Sequence, residues 1–147
     1  MKRNFGFWII IIIGILLLVL LLLGQTLAVF NFDLAITLGL QETKREIGEV
    51  GIAFAKGFAL ADTLVYVPLL LIGLIGLLSK RKWGYLAMMI SLGITVYWPV
   101  VHLYAIYIET EAINLDPEKY ITFPITLTFL IIYGLFGMVY LYRNHAD

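Results

Sequence analysis

Asp62 and His102, which are capable of ion-pairing or acid–base chemistry, lie well inside long apolar stretches of this sequence. Asp62 belongs to the second of four such stretches and His102 to the third. A carboxylate near the middle of a bilayer costs at least ~2.5–3.5 kcal/mol on insertion scales, so it generally faces protein or water and marks a function. Histidine changes its charge near neutral pH and can accept or donate a proton. Asp62 and His102 are therefore the primary candidates for ligand-binding or proton-linked residues.

The spacing along the two stretches predicts that these side chains lie at similar depth. Asp62 precedes Leu78 by sixteen residues, or ~24 Å of helix, and His102 follows Gly84 by eighteen residues, or ~27 Å. A tight turn joins Leu78 to Gly84, so the two distances are measured from one end of a helical hairpin. We expect the carboxylate and the imidazole to be close enough to pair.

Polar side chains at three- and four-residue spacing extend the candidate site, because such residues share one face of a helix. One interpretation is a pocket; the other is ordinary packing, since small and polar residues are common where membrane helices touch. Lys56 has two possible roles, pairing with Asp62 or extending its amine to the membrane surface. The additional candidate ligand-binding residues are Tyr66, Trp98, Thr126 and Tyr133.

The elements that position these residues are predicted to be four transmembrane helices. The chain has 147 residues, of which 62% are hydrophobic and 14% charged. About 20 apolar residues in a helix cross the hydrocarbon core. Residues 7–30, 51–78, 84–107 and 123–142 meet this condition. We therefore predict an all-α integral membrane protein, a single four-helix domain over residues 1–147 with up-down topology.

Basic residues indicate the orientation, because short cytoplasmic segments are enriched in Lys and Arg. Lys2 and Arg3 precede the first helix, residues 80–82 are all basic, and Arg143 follows the fourth helix. The opposite, outer side is mainly acidic. We expect both termini to be cytoplasmic in a cell membrane. The alternative is a cleaved signal peptide that ends near Ala28. The apolar region of a signal peptide usually has ~7–15 residues, and the one in this chain is longer.

The two outer connections also carry local signals. Thr43 and Glu46 form a potential capping box, in which each side chain bonds the other's backbone amide. A helix from there to Leu78 would be ~54 Å long, more than a bilayer needs. We therefore predict a break at Gly48, Gly51 or Gly57 and a short surface helix in the first outer connection. Asp116 and Pro117 resemble an N-cap and a first helical residue.

Several functional classes lack the residues they require. The chain contains no cysteine, so disulfides and thiolate metal sites are excluded. A zinc site needs three or four protein ligands, whereas only Asp62 and His102 converge, with Glu109 as a possible third. No phosphate-binding loop or dinucleotide motif is present, and no basic surface for nucleic acid. We therefore predict no metal, no cofactor and no nucleic-acid partner.

Three functions remain open at this point. The leading hypothesis is binding or transport of a small lipophilic or cationic molecule in an outward-facing pocket, with Asp62 as its charge partner. The first alternative is a membrane enzyme acting on a lipid-like substrate, with His102 as general base and Asp62 orienting it. The second is a non-catalytic subunit of a membrane complex. The expected partners are the lipid bilayer, such a ligand, and a second copy or another membrane protein.

Overall fold

The structure is a computed structural model, and it describes residues 3–108 and 111–145. Within this part the chain is helical, without strands, and four of its helices are long and apolar enough to cross a membrane. We number the helices in chain order. They are α1 (Phe5–Phe30), the short α2 (Phe32–Thr37), α3 (Lys44–Leu78), α4 (Lys82–Ile108) and α5 (Lys119–His145).

The first helix, α1, forms because its residues are apolar and uncharged from end to end. Asn4 caps it by accepting a hydrogen bond from the Phe7 amide at 3.2 Å. A single face is buried, with Ile10, Gly14 and Leu17 among its residues, while much of the remaining Ile and Leu surface is exposed. An exposed apolar face of this kind is suited to lipid rather than to water.

The long helices lie side by side, and α4 packs extensively against both α3 and α5. Glycine permits the closest approach, where Gly76 of α3 meets Gly84 of α4. The first helix crosses α3 and reaches α5, where Tyr133 donates a hydrogen bond to the Ile10 carbonyl at 2.9 Å. Arg3 bonds the Leu78 carbonyl at 2.6 Å, so the start of α1 lies beside the end of α3.

The predicted break in the second long helix occurs at Gly48. Its φ of 69° and ψ of −179° are not helical, and the positive φ favours glycine. The capping box before it is present, with the Thr43 amide donating to Glu46 Oε2 at 2.8 Å. One turn, from Lys44 to Ile47, therefore precedes the break, and the helix continues from there to Leu78.

Two local features differ from the sequence expectations. The fifth helix begins at Lys119 rather than at Pro117. Asp116 does not act as its side-chain cap, because its carboxylate instead bonds Arg45 Nη2 at 2.9 Å. The short α2 was not expected, and it is capped by Asn31, which accepts from the Leu34 amide at 2.9 Å.

Candidate ligand-binding site

Asp62 lies at the start of a π-helical turn in α3, which spans Asp62–Tyr66. The Val67 amide bonds the Asp62 carbonyl, five residues back, and Pro68 follows without an amide hydrogen to continue the ladder. The Asp62 carboxylate is half-buried. None of the described residues forms a hydrogen bond or an ion pair with it. A π turn inside an α-helix is uncommon and often occurs at a functional site.

A second π turn lies opposite, in α1, and spans Leu22–Thr26. The two turns pack against each other, and Thr63 Oγ1 bonds Thr26 Oγ1 at 3.2 Å. Each turn contributes a polar side chain to the space between the helices, Asp62 from α3 and Gln25 from α1. Periodicity in the sequence does not distinguish a π turn from an α turn, so this pairing was not expected.

Asp62 faces a cavity of about 350 Å³ at this end of the bundle. The cavity combines side chains from α1, α3, α4, α5 and the segment that leads into α3. Its ionisable lining residues are Glu42, Asp62 and His102, and no Lys or Arg is among its described lining residues. The remaining lining residues are Gln25, Leu40, Gln41, Ala55, Phe58, Trp98, Thr122, Phe123, Thr126 and Leu127.

His102 lines the same cavity from α4 but does not pair with Asp62. Its Nδ1 lies 2.8 Å from the Trp98 carbonyl oxygen, an acceptor, so Nδ1 carries the proton in this bond. In the neutral ring, Nε2 is then the free acceptor. A direct bond between the carboxylate and the imidazole was expected, but the two form no ion pair. Both side chains line the cavity instead.

Three aromatic rings, those of Phe58, Trp98 and His102, line the cavity together with the Asp62 carboxylate, and we call them the aromatic wall. The His102 ring is 5.9 Å from the Phe58 ring and 5.3 Å from the Trp98 ring, centroid to centroid. All three rings line the cavity. The Trp98 indole nitrogen is buried and has no hydrogen-bond partner in the described part of the chain. The Tyr66 hydroxyl interacts with the Trp98 side chain, so this donor is not isolated and does not by itself indicate a ligand.

The two tyrosines predicted for the site lie in the core beneath the cavity and not on its wall. Tyr66 is 1% exposed, and its hydroxyl is 2.5 Å from Thr95 Oγ1. Tyr133 is 3% exposed and bonds the Ile10 carbonyl. These bonds connect α3 with α4 and α5 with α1. Thr126, in contrast, lines the cavity with Asp62, Trp98 and His102.

Four polar residues that line the cavity were not among the predicted site residues, namely Gln25, Gln41, Glu42 and Thr122. Gln41 is 6% exposed, and its Nε2 donates to the Gly24 carbonyl at 3.3 Å and to Gln25 Oε1 at 3.4 Å. Glu42 lies next to it and has no bonding partner among the described residues. Gln25 gave a sequence signal as a polar residue within α1. Gln41 and Glu42 lie in a connection, where the fold alone determines which way they face.

Lys56 does not neutralise Asp62. Its amine lies over the Phe32 ring, 5.1 Å from the centroid, on the other side of α3. Lys56 lines surface depressions together with Asp33 and not the cavity of Asp62. The carboxylate therefore faces the cavity without a cationic side chain beside it.

An apolar cavity of about 390 Å³ adjoins the first one. The two share five lining residues, Glu42, Ala55, Phe58, His102 and Phe123. The rest of its lining is apolar and comes from α3, α4 and the connection between α4 and α5. These residues are Ile47, Val50, Gly51, Phe54, Val101, Ala105, Ile106, Ala112, Ile113 and Leu115.

Glu46 holds the connection between α4 and α5, which lines the apolar cavity, by several hydrogen bonds. Its carbonyl accepts from the Asn114 amide at 2.8 Å, and its Oε1 accepts from Lys119 Nζ at 2.7 Å and from the Asp116 amide at 3.3 Å. Glu46 precedes the break at Gly48, at the extreme end of a helix of ~52 Å, and hence outside the hydrocarbon-spanning part. Burial raises the pKa of Glu46, but the bonds from Lys119, Thr43 and Asp116 outweigh it and lower the pKa to about 2.

No group of three His, Asp or Glu side chains within residues 3–108 and 111–145 is placed to hold a metal ion. Glu109, the possible third ligand beside Asp62 and His102, lies outside the described residues. Comparison of the chain with protein-family models, with curated proteins and with solved structures finds no match.

Proposed function

We propose that this chain is a multi-pass protein of the cell membrane that binds a small organic cation in the cavity beside Asp62. One observation carries the proposal: the carboxylate faces a cavity within the bundle and has no bonding partner among the described residues. A charge held at this depth without a partner is costly, so a function is the physical reason to retain it. A bound cation would provide the missing partner.

The charge and size of the cavity support the same ligand class. Glu42 adds a second carboxylate to the lining, and no Lys or Arg side chain is among the described lining residues. The volume of about 350 Å³ falls in the ~300–1,000 Å³ range typical of small-molecule sites. Apolar and aromatic side chains form much of the wall, which suits a cation with a substantial hydrocarbon part.

The proposed orientation opens this cavity toward the outside of the cell. Arg3, residues 80–82 and Arg143 are basic and stand at the end of the bundle opposite to Asp62, which favours a cytoplasmic location for that end. Both termini are then cytoplasmic and the long helices run alternately up and down. The turn from Lys44 to Ile47 would lie at the outer surface as the short helix expected there.

Thermal unfolding in mild detergent tests the proposal, because a ligand that binds only the folded state raises the midpoint. Small organic cations, their neutral isosteres and anions of similar size are added to the wild type, to Asp62→Asn and to Asp33→Asn. Asp33 is exposed and does not line the cavity, so it provides a matched control. We expect cations alone to raise the midpoint, in the wild type and in Asp33→Asn but not in Asp62→Asn. Equal shifts in all three proteins, or no shift with any cation, would refute the proposal.

A further inference from the structure

The aromatic wall beside Asp62 narrows the kind of cation that suits the cavity. The rings of Phe58, His102 and Trp98 follow one another at 5.9 Å and 5.3 Å, and all line the cavity with the carboxylate. Aromatic faces attract cations, and quaternary ammonium ions are typically recognised by such rings. A quaternary ammonium has no N–H group, so it needs only a counter-charge and apolar faces. Asp62 and these rings provide both.

The apolar cavity next to this wall offers space for a hydrocarbon chain. It has a volume of about 390 Å³ and shares Phe58, His102 and Phe123 with the cavity of Asp62, so the two cavities lie side by side. Asp62 and Gly51 are eleven residues apart on α3, or ~16 Å along the helix. An extended decyl chain fits within this distance. The volume is near the low end of the ~300–1,000 Å³ range of small-molecule sites, which suits one chain rather than two.

The connection before α5 lines one side of this space, which is open on the side where Val50 and Phe54 are exposed. Ile113 and Leu115 line the apolar cavity, and the bonds from Asn114 and Asp116 to Glu46 hold their segment against the start of α3. Polar side chains line this cavity only where it meets the other one, at Glu42 and His102. A polar ligand group placed deep in the apolar cavity would lose its hydrogen bonds to water without replacement. Hydrocarbon fits this environment.

We propose that the ligand is a quaternary ammonium ion with a single hydrocarbon chain, the ammonium lying between Asp62 and the aromatic wall and the chain in the apolar cavity. This inference rests on the proposed function and specifies the chemical class of the cation. Each CH₂ group buried from water strengthens binding by roughly fourfold. Comparing probes with and without a hydrocarbon chain therefore measures the contribution of the apolar cavity separately from that of Asp62.

Equilibrium binding to the protein in lipid nanodiscs tests this assignment, with empty nanodiscs subtracted to correct for partition into lipid. The radiolabelled probes are tetramethylammonium, decyltrimethylammonium and decylamine. We expect decyltrimethylammonium to bind the wild type at least ~100-fold more tightly than tetramethylammonium, since several CH₂ groups are buried. Decylamine should bind more weakly than decyltrimethylammonium, and Asp62→Asn should abolish the binding of all three.

Cavity-filling variants test whether the hydrocarbon chain of the ligand binds in the apolar cavity. Ala105→Leu and Ala112→Leu add bulk to the apolar cavity only, and Ala112 is exposed in a connection where folding is little affected. Each should weaken decyltrimethylammonium binding by about tenfold and leave tetramethylammonium unchanged, whereas Ala53→Leu on the exposed face of α3 should change neither. Equal affinity for the short and long quaternary probes, both lost in Asp62→Asn, would overturn this inference and leave the proposed function intact. No Asp62-dependent binding of any probe would overturn both.

Discussion

Two carboxylates on α3 show how the surroundings of a residue separate a structural role from a ligand-binding one. Glu46 has a side chain that is 1% exposed and bonds Lys119, Thr43 and the Asp116 amide. Asp62 is half-buried, and nothing in the described part of the chain bonds its carboxylate. Breaking a satisfied buried network is costly, whereas removing an unpaired buried charge is not. The two residues therefore give opposite predictions for stability.

Replacing Asp62 should not destabilise the ligand-free protein. Asp62→Asn removes a charge from the bundle and breaks no bond, so we expect the midpoint of thermal unfolding in detergent to stay the same or to rise. Cation binding should be lost in the same variant. A midpoint several degrees below that of the wild type would show that the carboxylate has a structural partner, contrary to this account.

Replacing Glu46 should destabilise the fold. Glu46→Gln leaves the Lys119 amine without its counter-charge in a largely buried position, and we expect a loss of about 3 kcal/mol in the free energy of unfolding. The control is Glu49→Gln, which like its partner Lys44 is largely exposed, and there the loss should be below about 1 kcal/mol. SDS-induced unfolding in mixed micelles measures both. Equal losses would contradict the role of the Glu46 network.

The low pKa of Glu46 predicts a stability change in acid. The carboxyl has a pKa of about 2 in the folded protein and 4.5 as its ordinary value, so its contribution is complete above about pH 4.5 and is lost as the pH falls toward 2. The difference in thermal midpoint between the wild type and Glu46→Gln should therefore be larger at about pH 6 than at about pH 3. A difference independent of pH would show that the charge of Glu46 contributes little.

At the scale of elements, the contact between α3 and α4 depends on glycine, at Gly73 beside Met88 and at Gly76 beside Gly84. A Cβ atom on Gly84 would overlap the backbone of Gly76, which cannot move aside as a flexible side chain would. We expect Gly84→Ala to cost about 1–3 kcal/mol in SDS-induced unfolding. Gly93→Ala is the matched control, because no atom lies within 4 Å of its added Cβ. That change should be neutral or favourable by up to about 1 kcal/mol. Similar losses in both variants would argue against close packing at Gly84.

The sequence predicted the elements well where a strong physical rule applies. Uninterrupted apolar length determined the four long helices, and the capping box at Thr43 and the break at Gly48 follow from backbone chemistry. The start of α5 was displaced because Asp116 bonds Arg45 and Glu46 at the start of α3, a tertiary contact. The two π turns were not predicted either, since Leu22–Thr26 and Asp62–Tyr66 show no local signal that separates them from α-helix.

At the scale of the whole molecule, the candidate site is only partly visible in the sequence. Helical spacing brought Asp62, Trp98, His102 and Thr126 together, and all four line one cavity. The same spacing does not indicate how deeply a side chain is buried, and Tyr66 and Tyr133 lie in the core. Gln41 and Glu42 come from a connection. Their approach to Asp62 depends on how that connection folds over the bundle, which local pattern cannot show.

Protonation of the lining groups should compete with the binding of an organic cation in this cavity. Glu42, Asp62 and His102 are the titratable groups among its described lining residues, and a proton on any of them makes the cavity less attractive to a cation. We expect the affinity for tetramethylammonium in nanodiscs to fall as the pH is lowered from about 8 to about 5, because each proton that the cavity takes up makes its charge more positive. Affinity that does not vary over this range would contradict a cavity whose charge binds the ligand.

Native mass spectrometry tests the central claim most directly, namely that Asp62 holds an organic cation within the bundle. The wild type, Asp62→Asn and the control Asp33→Asn are each released from mild detergent after purification in the same way. We predict a small organic cation bound to the wild type and to Asp33→Asn and absent from Asp62→Asn. Identical spectra for all three proteins, whether or not a small molecule is bound, would contradict the account.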